Sequence, residues 1–267
     1  MRLQRLELHG PFDVIGDVHG CLHELLALMT ALGCVVHSSG SGLAVAAPPE
    51  RTLVFVGDLA LRGPATTAVL RLLMSMARAG QALCVAGNQD MNLLAALQGK
   101  VAPSTPSLLR VLRQFDAEPA EFRAAAVRFL RHLPGHLVLD RGRLVIAHAG
   151  LPERMHGTAT ARARALAVYG ETTGEMDENG LPVRSNWAAQ YRGQALVLFG
   201  HTPVAAPVCL NNTVNIDTGC VYGGCLTAFR YPERSLLAVP SHTVYAPARR
   251  CSLPGRSAAT GTAPRSA

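Results

Sequence analysis

The sequence predicts an α/β fold, and three observations carry that prediction. In the first half, short apolar runs alternate with helical ones in β-α-β-α order, the pattern of parallel strands joined by crossover helices. From residue 136 the texture changes to short strands at close spacing, read as a second, mixed or antiparallel sheet. The chain has 267 residues, 49% hydrophobic and 16% charged. A chain of that size buries roughly three quarters of its unfolded surface.

Each element has a local reason. "FDVIGD" (12–17) is a short buried strand, and "CLHELLALMTALG" (21–33) has helical apolar spacing and a glycine stop. A loop or loose hairpin fills "SSGSGLAVAAPPE" before the next strand, "TLVFVGD" (52–58). A helix over 64–79 opens at Pro64, and "ALCVAGN" (82–88) is a third strand running into a helix at "DMNLLAALQGK". Residues 107–133 read as helical with Pro119 interrupting. The strands "HLVLD", "RLVIAHAG", "ALVLFGHTP", "TVNIDTG", "CLTAFRYP" and "SLLAVP" follow and are assigned to the second sheet. Between two of them, 152–193 is a long polar insertion of the kind that is either functional or disordered. The Pro/Ser/Ala/Arg-rich stretch 246–267 is expected to be a disordered tail, leaving 1–245 as the folded domain.

Composition narrows the class. The net charge is +7, but every basic residue except Lys100 is arginine, so the excess is read as a solvated basic surface with a compositional bias rather than as a nucleic-acid footprint. Seven cysteines show no CxxC pair. Their odd number and the lack of a basic-apolar leader point to a reducing cytoplasm. No apolar run is long enough to span a membrane. No GxxxxGK[ST] loop is present, so any kinase partner is a separate protein.

The chemistry gathers at strand ends. "GDVHG" (16–20), "GDLALRG" (57–63) and "GNQD" (87–90) close three successive strands, and "IAHAG" and "FGHTP" close two later ones. Ligands of parallel sheets bind at the carboxyl ends of strands. Asp17, His19, Asp58, Asn88, His148 and His201 are therefore expected to converge. Carboxylate, imidazole and amide oxygen around one point suit divalent Mn²⁺, and also Fe or Zn. Any one of these residues could be a helix cap or a satisfied core histidine. Five glycine-flanked polar strand ends in order are not explained that way.

This order, with "YGETTGE", "GLPVRSNWAAQYRG", "VLFGHTPV" and "NNTVNIDTGCVYGGCLTAFRYPE", resembles the metallophosphoesterase superfamily over residues 11–243. It is most similar to the subgroup holding the phosphatase domain of bacterial polynucleotide kinase-phosphatase and the PrpE-type bis(5′-nucleosyl)-tetraphosphatases. The resemblance implies a four-layer αββα sandwich, two mixed sheets packed face to face with helices outside. It implies two divalent ions, Mn²⁺ foremost with Fe, Zn or Ni as alternatives. Asp17 and His19 would hold the first, Asp58 would bridge, and Asn88, His148 and His201 would complete the second. Two ions held about 3.5–4 Å apart can generate a hydroxide nucleophile and clamp an in-line displacement. Arg62 matches the family's phosphate clamp, a fork suited to phosphoryl oxygens. Arg184 is a second candidate clamp, with a plain surface arginine as the alternative. Asp217 stands where a partner of a ligand histidine is expected. Tyr169, Tyr191 or Trp187 are available to stack on a base, or else pack under the insertion as ordinary core.

One departure stands out. Relatives read GNH where this chain has "GNQD", and that histidine serves the leaving group, oriented by an aspartate in GDxxDRG. Here the two positions are Gln89 and Leu61. Loss of both is coherent, because a carboxylate without its imidazole is a poorly partnered charge. The expected enzyme hydrolyses phosphate esters or anhydrides of nucleotide-type substrates with good leaving groups, either phosphorylated small molecules or nucleic-acid ends. The alternatives are a serine/threonine-type protein phosphatase and a non-catalytic metal- or phosphate-binding relative.

Overall fold

Three strand-to-helix units build the first sheet, and each stops where a glycine admits a sharp turn. The computed structural model describes residues 3–39, 42–176, 180 and 182–247, so most of the expected tail lies outside the described residues. The chain opens with β1 (Gln4–Arg5), β2 (Phe12–Ile15), α1 (Leu22–Ala31) and a hairpin of β3 (Val35–Ser39) and β4 (Gly42–Ala46). Next come β5 (Thr52–Phe55), α2 (Thr66–Arg78), β6 (Ala82–Cys84) and α3 (Asn88–Leu97). The expected 107–133 helix divides at Pro119 into α4 (Pro106–Asp116) and α5 (Ala120–His132). Thr105 caps α4 by accepting from the Leu108 N–H at 3.2 Å.

The second half supplies β7 (His136–Leu139), β8 (Leu144–Ala147) and α6 (Ala161–Tyr169). It continues with a hairpin of β9 (Thr172–Met176) and β10 (Pro182–Arg184), then α7 (Trp187–Gln190) and β11 (Leu196–Phe199). The chain then forms β12 (Val208–Leu210), β13 (Thr213–Asn215), β14 (Cys225–Tyr231) and β15 (Ser235–Pro240). The described residues of the insertion thus form helices and a strand pair, not a bare loop.

Two mixed sheets result. One runs β15-β14-β2-β5-β6, the other β1-β7-β8-β11-β13-β12. This corrects the expectation for the last two strands. β14 pairs antiparallel with β2, and β15 with β14, so "CLTAFRYP" and "SLLAVP" return to the first sheet. Strand β14 has one face on each core: Leu226 and Ala228 pack under the helices, Phe229 and Tyr231 between the sheets.

Layering follows from which faces are apolar. Val14, Val54 and Phe229 of one sheet meet Leu137, Ile146 and Leu198 of the other in a shared core. Helices α1 to α5 cover the outer face of the first sheet through residues such as Leu25, Leu70 and Leu130. Trp187 and Tyr191 pack on Val145 and Val197 of the second sheet, and Ala167 of α6 on Ala147. Each fully buried large side chain contributes about 1.5–3 kcal/mol. No helix among the described residues is long and apolar enough to cross a membrane.

Candidate metal centre

The site forms where loops from both sheets cross, and glycines let them cross closely. A Cβ on Gly87 would lie 2.1 Å from the Asp58 backbone nitrogen, and one on Gly200 would lie 2.0 Å from Asp17 Oδ1. No side chain fits at either place. The loops are also bent: His19, Asp58 and His201 have positive φ of 49°, 47° and 72°. Non-glycine residues in that region carry backbone strain and concentrate at functional sites.

Asp90 holds two of these loops together. Its Oδ1 accepts from the Leu59 and Ala60 N–H groups at 3.0 and 3.1 Å, and its Oδ2 from Gly87 N–H at 3.0 Å. Asp90 therefore fixes the Asp58 loop against the start of α3. No role for it was drawn from the sequence. The available signal was its position three residues after Gly87, where an acidic side chain reaches back to a helix start.

The donors converge. Asp58 stands between two imidazoles, its Oδ2 3.6 Å from His19 Nε2 and its Oδ1 3.4 Å from His148 Nε2. Asn88 Oδ1 lies 3.1 Å from His148 Nε2 and 2.9 Å from His201 Nδ1. Asp17 Oδ2 lies 4.0 Å from His19 Nε2 and accepts from the His201 backbone N–H at 3.2 Å. Asp17, His19, Asp58 and His148 are all buried.

Backbone carbonyls set the tautomers. His19 Nδ1 lies 3.3 Å from Ala60 O and His148 Nδ1 3.2 Å from Val56 O. Donation there leaves each Nε2 as a lone pair aimed inward. Burial, with Arg62 nearby, holds the His19 ring down to about 3, and burial holds His148 down to about 3. Burial and the facing His148 push His201 lower than its ordinary value as well. Burial together with Asp217 and Asp58 raises Asp17. The rings are neutral and the carboxylates are crowded, which is the donor set that a divalent cation relieves. Arg62 shows that the His19 lone pair is open to a cation, since its guanidinium lies 2.8 Å from His19 Nε2. The residues present fit a metal centre.

Arg62 is itself positioned. Its backbone N–H donates to Ser107 Oγ at 2.7 Å, its φ is 67°, and its guanidinium lies 5.7 Å above the Tyr222 ring. Tyr222 was not foreseen as a site residue. Arg184, on β10, donates to the Tyr169 carbonyl at 2.7 Å and lowers the proton affinity of His148 and His201 by its charge. Both guanidinium groups thus border the donor cluster. The Tyr169 ring is 52% exposed. Asp217 faces the Asp17 carboxyl and Arg62 and accepts from Gly219 N–H at 3.0 Å, with burial raising it to about 6. Its side-chain hydrogen-bond partner is the Asp17 carboxyl.

Four further residues occupy the stacking and general-acid positions considered above. Tyr191 is 4% exposed, donates to Ala195 O at 2.8 Å and packs with Val138 and Val197, so its ring offers no face to a base. Trp187 lies 5.0 Å from Phe199, and a Cβ on Gly150 would meet its ring at 1.9 Å. Leu61, where relatives carry the orienting aspartate, is 2% exposed and part of the helix-side core. Gln89 uses its backbone N–H to donate to Asp58 Oδ1 at 2.8 Å.

Comparison with known proteins agrees with this geometry. The calcineurin-like phosphoesterase model matches residues 10–223. The asymmetrical bis(5′-nucleosyl)-tetraphosphatase PrpE of Anoxybacillus flavithermus is 40% identical over 244 residues, covering 88% of this chain and 96% of that protein. Its counterpart in a Geobacillus species is 39% identical over 239 residues, with 88% and 96% covered. A crystal structure provisionally assigned as a diadenosine tetraphosphatase superposes with a TM-score of 0.64 at 25% identity, covering 90% of this chain and 97% of that one. The match takes in strands of both sheets and every strand end that feeds the donor cluster, so the chain belongs to the calcineurin-like phosphoesterase family, the metal-dependent hydrolases of phosphate esters and anhydrides.

Proposed function

We propose that the chain hydrolyses nucleotide-type phosphoanhydrides, with activated phosphate esters as secondary substrates, and that Mn²⁺ is the metal it uses. The observation that carries this reading is Asp58, whose two oxygens each face a different inward-turned imidazole at 3.6 and 3.4 Å. That placement supports the reading of Asp58 as a carboxylate that would bridge two ions. Asp17 and His19 would hold the ion on one side of it, and Asn88, His148 and His201 the ion on the other. When bound, the two ions supply Lewis acidity and lower the pKa of water.

The chain's own residues do the rest. Arg62 on the His19 side and Arg184 beside His201 present guanidinium groups to a polyanionic phosphate chain. Such forks bind phosphoryl oxygens in fixed geometry. Gln89 holds Asp58 through its backbone, while its side-chain amide can donate a hydrogen bond but cannot release a proton at neutral pH. A nucleotide phosphate leaves as a stable anion and needs no such proton. An alkoxide from phosphoserine does, which disfavours the protein-phosphatase reading. The PrpE relatives are named for nucleosyl tetraphosphates, which supports the anhydride preference.

The test is hydrolysis by purified protein with Mn²⁺ across diadenosine tetraphosphate, bis(p-nitrophenyl) phosphate, p-nitrophenyl phosphate and a phosphoserine peptide, with Asp58→Asn as control. The expected order puts diadenosine tetraphosphate first and the peptide last, with all turnover lost in the control. Metal bound in full without turnover of any substrate would favour a binding role instead.

A further inference from the structure

Outside the metal centre, one cluster of ligating side chains has no part in the chemistry above. Cys21 immediately precedes α1, Glu24 lies in its first turn, and Cys220 follows β13, three residues after Asp217. One sulfur from each cysteine and a carboxylate oxygen of Glu24 lie within 4.8 Å of one another, and all three residues are buried. Ligands of a tetrahedral zinc site with about 2.3 Å metal–sulfur bonds stand about 3.8 Å apart. Only a small contraction separates the two arrangements.

The second observation is the state of Glu24. It is 1% exposed, in a place where a carboxylate needs partners. Its Oε1 has two, accepting from the Tyr245 hydroxyl at 2.9 Å and from the His242 N–H at 2.8 Å. Its Oε2 is buried with none. A carboxylate with one oxygen doubly held and the other bare, beside two sulfurs, is what a metal-ligating carboxylate looks like before it is loaded.

The surroundings enclose the cluster. Residues 241–246 run across it, with Ser241 N–H donating to Gly224 O at 2.8 Å and Tyr245 N–H to Val221 O at 3.1 Å. The donor set of two soft sulfurs and one oxygen selects a thiophilic ion over Mn²⁺ or Mg²⁺. We propose that Cys21, Cys220 and Glu24 form a structural site for a thiophilic divalent cation of the Zn²⁺ class, separate from the phosphoesterase centre. Each thiol gives its proton to solvent as its bond to the metal forms. The bound ion cross-links the segment that follows Asp17 and His19 to the segment that follows Asp217, and through Glu24 it fixes residues 241–246 over both.

Cobalt(II) separates this site from the catalytic one, whose donors are nitrogen and oxygen only. The protein is stripped with chelator under reducing conditions and titrated with Co²⁺ while its near-ultraviolet spectrum is recorded. A sulfur-to-cobalt charge-transfer band is expected, carried by an equivalent beyond the two of the catalytic centre. It should vanish in Cys21→Ser and in Cys220→Ser. If those variants fail to fold, Glu24→Gln, which keeps an oxygen for Tyr245, should weaken the band-forming equivalent about tenfold or more. A protein that hydrolyses substrate with Co²⁺ yet shows no thiolate band overturns the proposal and leaves the phosphoesterase reading intact. So does a disulfide between Cys21 and Cys220 found by peptide mapping of the protein denatured without reductant, which would put a covalent bond in place of a metal site.

Discussion

Restoring the pair that Gln89 and Leu61 replace should convert leaving-group preference into something measurable. A positioned general acid is worth about 10²–10⁴ in rate, or roughly 3–5 kcal/mol. The gain falls on leaving groups that need the proton and not on p-nitrophenolate. The structure sets the cost. Leu61 is 2% exposed within the helix-side core, so Leu61→Asp forfeits about 2 kcal/mol of apolar burial before any charge penalty. It is tolerable only if the new carboxylate finds the new imidazole. The single Gln89→His variant lacks that orienting contact. Contacting pairs couple by about 0.5–3 kcal/mol, so it should fall short of the double variant by about tenfold. The assay is kcat/KM on a phosphoserine peptide and on p-nitrophenyl phosphate for wild type, both singles and the double, with folding checked by circular dichroism and metal content by elemental analysis. The expected outcome is a rise of about 100-fold in the peptide-to-aryl ratio in the double variant. A folded, metal-loaded double variant whose ratio stays within threefold of wild type would refute the reasoning.

Other positions give sharper single tests. Arg62→Lys keeps the charge but loses the fork and its platform on Tyr222, and kcat/KM on diadenosine tetraphosphate should fall about 10²–10³-fold, whereas an unchanged value would remove Arg62 from phosphate binding. Gly87→Ala forces a Cβ into the Asp58 backbone and should cost about 10² in turnover with lower Mn²⁺ affinity, both read in one titration of activity against metal. His136 predicts an acid instability. Burial holds it down to about 4, below its usual 6.5, and its Nε2 accepts from Gly157 N–H at 2.9 Å. The native ring is neutral and the unfolded ring takes the proton first, so stability is full above pH 6.5 and declines towards pH 4. The loss is about 3 kcal/mol, and His136→Gln should flatten the urea midpoint over that window. Equal slopes in the two proteins would show that another group is responsible.

Much of this was legible in the sequence because its signals are local. The apolar runs of β2, β5 and β6, each ending in glycine and a polar residue, gave the parallel core of the first sheet and the order of the candidate ligands along it. Local signals do not say which sheet a strand joins. Strands β14 and β15 have the same short apolar texture as β11 and β13, and only the packing of Phe229 between the sheets and Leu226 under the helices places β14 beside β2. Helix α6 was hidden because its buried face consists of Ala163, Ala167 and Val168 among arginines, a weak periodicity. The positive φ values of His19, Asp58 and His201 are tertiary consequences that residue type does not encode. Tyr191 could be read either way from its neighbours, and its hydroxyl bond to Ala195 O decides it. Asp90 was in plain view, but three backbone donors from two loops are needed to see what it does.

The origin of the donors has a mechanical consequence. Asp17 and Asp58 stand on loops of one sheet and Asn88 opens the helix that follows its strand β6, while His148 and His201 stand on loops of the other. Between those sheets lies an apolar seam, which holds slabs together without fixing how they slide, because hydrophobic attraction has no direction. Coordination bonds do have direction, so ions held there as proposed would act as rivets driven through both plates at one edge. Each contributes about 2.7 kcal/mol to stability at 100 times its dissociation constant. If the centre is loaded as proposed, the metal concentration around this chain would govern how firmly its two halves are joined as well as whether it can turn over substrate.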